Sequence, residues 1–302
     1  MMLLPEGVKI IGQGITGSEG SQALEWMQKY GTQIVGGVTP GKGGQSVLGV
    51  PIFNSVKECL DKVGNVDGSV IYVPPLFTKS AVVEAIEAGM KWILVVTEKI
   101  PTTDTAYFYS LAKKKGVSII GPSSAGIISP RNHFKVGSIG GPAPERAYVA
   151  GNIAVISKSG SMTSEISLHL KNNGLGVSWA VCIGGDRIIG TDFADLLLEL
   201  ETDPETKASV IFGELGGTYE EKVAQLKASG KIKKPVIAFI GGEFTRSLPS
   251  EVQFGHAGAI IEGKVGLPAE KRRRLKEAGV LVAENLDDIA GLVKESTIVR
   301  TE

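Results

Sequence analysis

The sequence predicts an α/β protein made of two consecutive doubly wound units. Three observations predict it: short apolar runs alternate with helical patterns, many of the 40 glycines cluster directly after those runs, and the alternation restarts after a proline-rich interruption. Strand, glycine turn and helix in repetition give a parallel sheet. Ligands of such sheets bind beyond the carboxyl ends of the strands, where strand order reverses. A length of 302 residues, 42% of them hydrophobic, fits two cores of ordinary size.

In the first half, strands are expected at 8–11, 33–38, 68–73, 92–96 and 118–120, with helices from about 18 and over 55–63, 79–88 and 105–115. Pro122, Pro130, Pro142 and Pro144 then fall among glycines in a stretch with neither period. The second half has strands at 152–157, 178–183, 209–213, 236–240 and 280–282, and helices from about 162 and over 192–199, 219–229, 269–278 and 286–293. The division is a Rossmann-like domain over 1–125, a linker over 126–150 and a flavodoxin-like domain over 151–302.

Lys plus Arg and Asp plus Glu each total 32, so no net field recruits nucleic acid or an anionic membrane. A phosphate-bearing ligand must be held by local geometry. The amino terminus enters a short apolar strand without a basic segment, a long apolar stretch or a cleavage site. Cys59 and Cys182 lie far apart and lack metal-ligand spacing. A cytoplasmic protein with packing cysteines, no metal site and no membrane association is expected.

The turn after the first strand, Gly12-Gln13-Gly14-Ile15-Thr16-Gly17-Ser18-Glu19-Gly20, contains GxGxxG and opens a helix. Glycines let the backbone approach a pyrophosphate, and the free amides of the helix start meet its charge. A nicotinamide dinucleotide wants an acid at the end of the second strand, but that position reads Thr39-Pro40-Gly41-Lys42-Gly43-Gly44. Lys42 suits a further phosphate, which favours coenzyme A or NADP over NAD. The alternative is a tight turn without a ligand. Tyr72-Val73-Pro74-Pro75 and Thr97-Glu98-Lys99-Ile100-Pro101 end the third and fourth strands beside it.

Of three histidines, His133 falls in the linker and His169 within a helix, both in structural or solvent-facing roles. His256 sits in Phe254-Gly255-His256-Ala257-Gly258-Ala259, where small neighbours keep both ring nitrogens accessible. Two glycine turns of the same domain, Ser157-Lys158-Ser159-Gly160-Ser161 and Glu214-Leu215-Gly216-Gly217-Thr218, each close a strand and open a helix. Both offer helix amino termini to an anion, so a phosphoryl-imidazole between them is stabilised. Glu214 offers a carboxylate to the other ring nitrogen, to fix its tautomer.

These motifs resemble the succinyl-CoA synthetase α-subunit family over nearly the whole chain. The matching stretches are 14–18, 36–44, Ser157-Lys158-Ser159-Gly160, Ile183-Gly184-Gly185-Asp186, Gly213-Glu214-Leu215-Gly216-Gly217 and Gly255-His256-Ala257-Gly258-Ala259-Ile260. The resemblance implies coenzyme A contacts at Thr16, Gly17, Ser18, Glu19, Lys42, Val96, Thr97 and Glu98. It implies phosphorylation of His256 with Glu214 as partner, and carboxylate or phosphate binding by Ser159, Gly160 and Ser161. ATP and Mg2+ belong on a large ATP-grasp subunit, in an assembly of two small and two large chains.

Departures from the succinate enzymes bear on the acid. Ser164 stands where those enzymes commonly have Tyr, 122–126 reads Pro-Ser-Ser-Ala-Gly, and Arg187 replaces a proline. Residues 250–258, together with Gly184 through Arg187 and Phe134 through Gly137, look like ATP-citrate lyase. No citrate-synthase-like domain follows, so the combination resembles the small subunits of citryl-CoA synthetases. Citrate is the expected acid, with Arg187 adding positive charge; succinate or malate is the alternative. A CoA-binding module without turnover and an NADP-dependent oxidoreductase are the rivals from other classes.

Overall fold

The computed structural model describes residues 7–242, 256–259 and 266–298. The first sheet has the order β3-β4-β2-β1-β5-β6-β7, formed by β1 (Lys9–Gln13), β2 (Gln33–Val38), β3 (Ser46–Val47), β4 (Val50–Phe53), β5 (Gly68–Ile71), β6 (Trp92–Val95) and β7 (Ser118–Ile120). All neighbours pair in parallel except β3 with β4. Helices α1 (Ser18–Tyr30), α2 (Val56–Val63), α3 (Pro75–Glu87) and α4 (Thr102–Lys115) connect them. β5 and β6 are buried at every position, as strands covered on both faces must be. Local signals set the helix ends: Ser55 accepts from the Glu58 amide to start α2, and Gly116, at φ 70°, stops α4 after Lys113, Lys114 and Lys115.

The second sheet has the order β14-β13-β12-β10-β11-β8-β9. Its strands are β8 (Gly126–Ser129), β9 (Phe134–Gly137), β10 (Ala150–Ser157), β11 (Val177–Cys182), β12 (Ala208–Gly213), β13 (Val236–Ile240) and β14 (Leu281–Ala283). β10 through β14 run parallel, and β8 and β9 add antiparallel pairings at one edge. Helices α5 (Gly160–Asn172), α6 (Phe193–Thr202), α7 (Tyr219–Ala228), α8 (Pro268–Glu277) and α9 (Asp288–Ile298) complete the unit. Among the described residues no helix is long and apolar enough to cross a membrane.

The stretch expected as a linker, 126–150, therefore carries two strands of the second sheet. Both β8 and β9 are buried at all four positions, so neither shows the alternation that marks a half-exposed strand. Their glycines mark close backbone approach: a β-carbon on Gly126 would lie 2.0 Å from the Val136 carbonyl oxygen. The short antiparallel pair β3–β4 likewise went unpredicted, in the glycine-rich segment after β2.

The first unit covers the open edge at β9. Thr32, at the end of α1, donates its hydroxyl to the Lys135 carbonyl at 2.6 Å and accepts from the Lys135 amide at 3.0 Å. One hydrophobic cluster runs from Ile10, Leu24 and Met27 through Ile127 and Val136 to Ala154 and Trp179, joining the units. The strand order reverses between β1 and β5 in one sheet and between β10 and β12 in the other. The turns after those strands, together with the loops after β6 and β11, are where ligands of such sheets bind.

Thr32→Val keeps the side-chain volume and orphans two buried backbone groups of β9. It should lower the unfolding free energy by about 1–3 kcal/mol in urea titration. A loss below about 0.5 kcal/mol would show that this contact does not hold β9 in place.

Candidate active site

A cavity of about 680 Å³ opens between the two sheets. The loop after β6 contributes Val96, Glu98 and Lys99; the turn from β10 into α5 contributes Lys158, Ser159, Gly160 and Ser161; the turn after β11 contributes Gly185 and Asp186. His256 lies on its wall, with its side chain 36% exposed. The ring rests on bare backbone: a β-carbon on Gly185 would lie 2.2 Å from the ring's Cγ. The Gly258 amide donates to the Gly185 carbonyl at 3.0 Å, which fixes the short segment carrying the histidine.

Of the two ring nitrogens, Nδ1 is the one that meets the carboxylate expected from Glu214. It lies 2.8 Å from Glu214 Oε2, just beyond the end of β12. A carboxylate on Nδ1 favours the proton there and leaves the Nε2 lone pair as the nucleophile. The other Glu214 oxygen faces Lys158 Nζ at 3.3 Å, and Lys158 is buried, with its ammonium 5.5 Å above the Tyr219 ring. The hydrogen bond to Glu214 is the main cause that raises the His256 pKa above its ordinary value, against the opposing effect of burial. Burial pushes the Glu214 carboxyl up, but the His256 hydrogen bond and the Lys158 charge outweigh it and hold the pKa low. Asp186 moves the other way: burial raises it, partly offset by a Ser123 hydrogen bond.

The amino end of α5 faces the cavity. Ser159 is the N-cap, its Oγ accepting from the Met162 amide at 3.4 Å, and the helix begins at Gly160. Gly160 packs so closely that a β-carbon would lie 2.7 Å from that of Ala125. Ser159, Gly160 and Ser161 are thus presented together to an anion, next to Lys158.

Of the residues expected to hold coenzyme A, Val96 and Glu98 line this cavity. The Thr97 hydroxyl donates to the Val73 carbonyl at 2.8 Å, tying the loop after β6 to the one after β5. Thr16 and Lys42 meet on the neighbouring turns, with Nζ donating to Oγ1 at 3.2 Å. Gly17 is the N-cap of α1 and offers no side-chain acceptor, so Ser18 and Glu19 begin an α1 whose end is free to meet a phosphate.

Four expected substrate or phosphate contacts do not line the cavity. Ser164 lies one turn further along α5, its hydroxyl 2.8 Å from that of Tyr148. Arg187 is exposed beyond Asp186, and its carbonyl accepts from the Tyr219 hydroxyl at 3.5 Å. Gly216 has spent its backbone groups, its amide on Gly266 and its carbonyl on Lys271. Gly217 is exposed beside it, and Thr218 at the start of α7 lines a different cavity with Glu221. One helix amino end, α5, therefore faces the histidine site where two were expected. Lys158 and Asp186 were not among the expected site residues. Lys158 belongs to the Ser157-Lys158-Ser159-Gly160 turn, but only the fold reveals that a lysine between two serines points inward to Glu214.

Residues 5–99 match the family model described as CoA binding domain, and residues 150–294 match the succinyl-CoA ligase like flavodoxin domain. The chain is 44% identical to the succinate–CoA ligase [ADP-forming] subunit alpha 2 of Archaeoglobus fulgidus, over 97% of this chain and 99% of that one. It is 41% identical to an ADP-forming sulfoacetate-CoA ligase subunit of an Acholeplasma species, over 97% of each chain. Among solved structures it matches Methanosaeta concilii ATP citrate lyase in complex with (3S)-citryl-CoA, at a TM-score of 0.89 and 25% identity. The match covers 98% of this chain and 50% of that one, so this chain spans about half of that protein's length. With two family models covering its two halves and relatives aligned end to end, the chain belongs to the succinate–CoA ligase α-subunit family.

Proposed function

We propose that this chain is the α-type subunit of an ADP-forming acid–thiol ligase in which His256 Nε2 carries a phosphoryl group. The observation that carries the reading is the chain of contacts from Lys158 to Glu214 to His256 Nδ1, on the wall of a cavity shared with the loop after β6. Nε2 attacks the γ-phosphorus of ATP bound on a separate ATP-grasp subunit, where Mg2+ accompanies the nucleotide, and ADP leaves. A substrate carboxylate oxygen then attacks the phosphorus, the N–P bond breaks, and an acyl phosphate forms. The coenzyme A thiolate attacks the acyl carbon and phosphate departs, so two moderate barriers replace one high one. Lys158 and the α5 amides balance the negative charge of each phosphoryl species. Two α and two β chains form the assembly.

For the acid, a short dicarboxylate of the succinate type is the better supported choice. The A. fulgidus relative and the Aquifex aeolicus one, 40% identical, both bear the name succinate–CoA ligase. Arg187, the residue invoked for a more anionic substrate, lies outside the cavity lining. Citrate remains the second reading, favoured by the likeness of residues 250–258 to ATP-citrate lyase and by the citryl-CoA complex of a structural relative. Residues 250–255 fall outside the described part of the chain.

Incubating the reconstituted complex with γ-labelled ATP should place label on this chain. His256→Asn should remove it, and label persisting in that variant would remove His256 from the mechanism. A panel of succinate, malate, citrate and sulfoacetate should give the highest kcat/KM with succinate, and Arg187→Met should leave that value within about three-fold, since truncating a group outside the reaction site costs little. A citrate preference abolished by Arg187→Met would overturn this choice of acid.

Glu214→Gln should lower the His256 pKa, as followed by NMR titration of the ring protons. A raised folded-state pKa stabilises the fold below the unfolded value, and that contribution disappears as pH rises through the folded value. Wild type should therefore lose stability relative to Glu214→Gln across that interval. An unchanged His256 titration would show that Glu214 does not control the ring.

A further inference from the structure

Behind the Glu214 turn lies an ion pair with no access to solvent. Lys271, in the first turn of α8, meets Glu220, in the first turn of α7, and both side chains have 0% exposure. Glu220 Oε1 accepts from the Glu214 amide at 3.2 Å, and Lys271 Nζ donates to the Gly216 carbonyl at 2.6 Å. On the other side of the turn the Gly216 amide donates to the Gly266 carbonyl at 2.8 Å. Absent side chains make this approach possible: a β-carbon on Gly213 would lie 2.4 Å from Glu220 Oε1, and one on Gly266 would lie 2.7 Å from Gly216 Cα.

Stability alone is a poor explanation for such a pair. Withdrawing both charges from water costs about as much as their attraction returns, and apolar residues of equal volume generally fill such a site as well or better. What apolar residues cannot supply is direction. Each charged group here spends a further hydrogen bond on the backbone of the turn that carries Glu214. Lys271 also belongs to the helix that follows the segment bearing His256, so the pair ties the far end of that segment to the carboxylate the histidine needs.

We propose that Lys271 and Glu220 are positioning residues that lock the Glu214–Gly216 backbone, so that the Glu214 carboxylate stays on His256 Nδ1 while Nε2 takes and yields the phosphoryl group. The proposal rests on the reading of His256 as the phosphoryl carrier. Neither residue touches the substrate; both act through Glu214. A misplacement of about 1 Å in such a carboxylate is enough to slow the transfer by up to roughly 10²-fold.

The test compares wild type, Lys271→Met, Glu220→Gln, Lys271→Arg and the double variant Lys271→Met/Glu220→Leu, each as the full chain and in the complex with the large subunit. Each single variant that leaves one charge unpaired should lower the melting temperature, and the double variant should recover most of that loss because no buried charge remains. Single-turnover phosphorylation of the double variant should nevertheless stay roughly 10- to 100-fold slow, with KM for ATP unchanged. Its His256 should also titrate at lower pH than in wild type. Lys271→Arg, which keeps charge and donor, should restore much of the rate. Lys222→Met breaks an ion pair of the same helix with Asp192 away from the turn and should leave the rate unchanged.

Recovery of stability and phosphorylation together in the double variant would show the pair to be purely structural and overturn the proposal. Should the double variant fail to fold, Glu220→Gln, which keeps the volume, carries the test. An unchanged His256 titration in a Glu220→Gln chain with the wild-type circular dichroism spectrum overturns the proposal equally. A wild-type complex that takes no label on His256 defeats the underlying reading instead, while the titration still reports whether the pair orients the ring.

Discussion

The hydrogen bond between Glu214 and His256 Nδ1 sets the terms for the rest of the site. It joins a carboxylate pushed toward neutrality by burial to a ring pushed toward neutrality by the same burial, and each holds the other in its charged or polarised form. The bond requires Glu214 just beyond the end of β12, a lysine behind it, and a bare backbone at Gly185 for the ring to rest on. A parallel doubly wound sheet supplies all three, because the turns after β10, β11 and β12 emerge side by side at one end.

The cavity draws its walls from both units. Val96, Glu98 and Lys99 come from the first sheet and Lys158 through Ser161 from the second, so the cavity connects the first sheet's carboxyl edge with His256. Joining an acid to a thiol calls for such a shared cavity, because the reacting groups must meet in proper alignment where water cannot compete. The continuous core from Ile10 to Trp179 holds the two walls in fixed relation.

Much of this was legible in the chain itself, and the failures have physical causes. β2, β7 and β13 begin and end where apolar periodicity and turn residues place them, and the Glu214–His256 partnership followed from a carboxylate beside a glycine pair in the same domain as an exposed-looking imidazole. β8 and β9 were missed because strands buried on both faces lack alternation, and their glycines look like linker residues until a neighbouring strand is seen against them. Arg187 and Ser164 are read from motif position, and Gly216 from its place in a turn that opens a helix. Direction and prior hydrogen bonds decide whether a residue in a motif reaches a ligand, and Tyr148, Gly266 and Lys271 had already claimed two of them. Lys158 shows the converse, a residue of ordinary local context made central by the long-range packing that buries it.

The docking of β9 onto Thr32 bears on how the protein can be divided. A fragment starting at residue 151 would retain β11 as its outermost strand, buried at all six positions in the intact protein and stripped of β8. Such a bare, apolar border pairs readily with other chains. The flavodoxin-like half is therefore not a portable module: its last two strands are spelled before it in the sequence, and their outer flank is sealed by its neighbour.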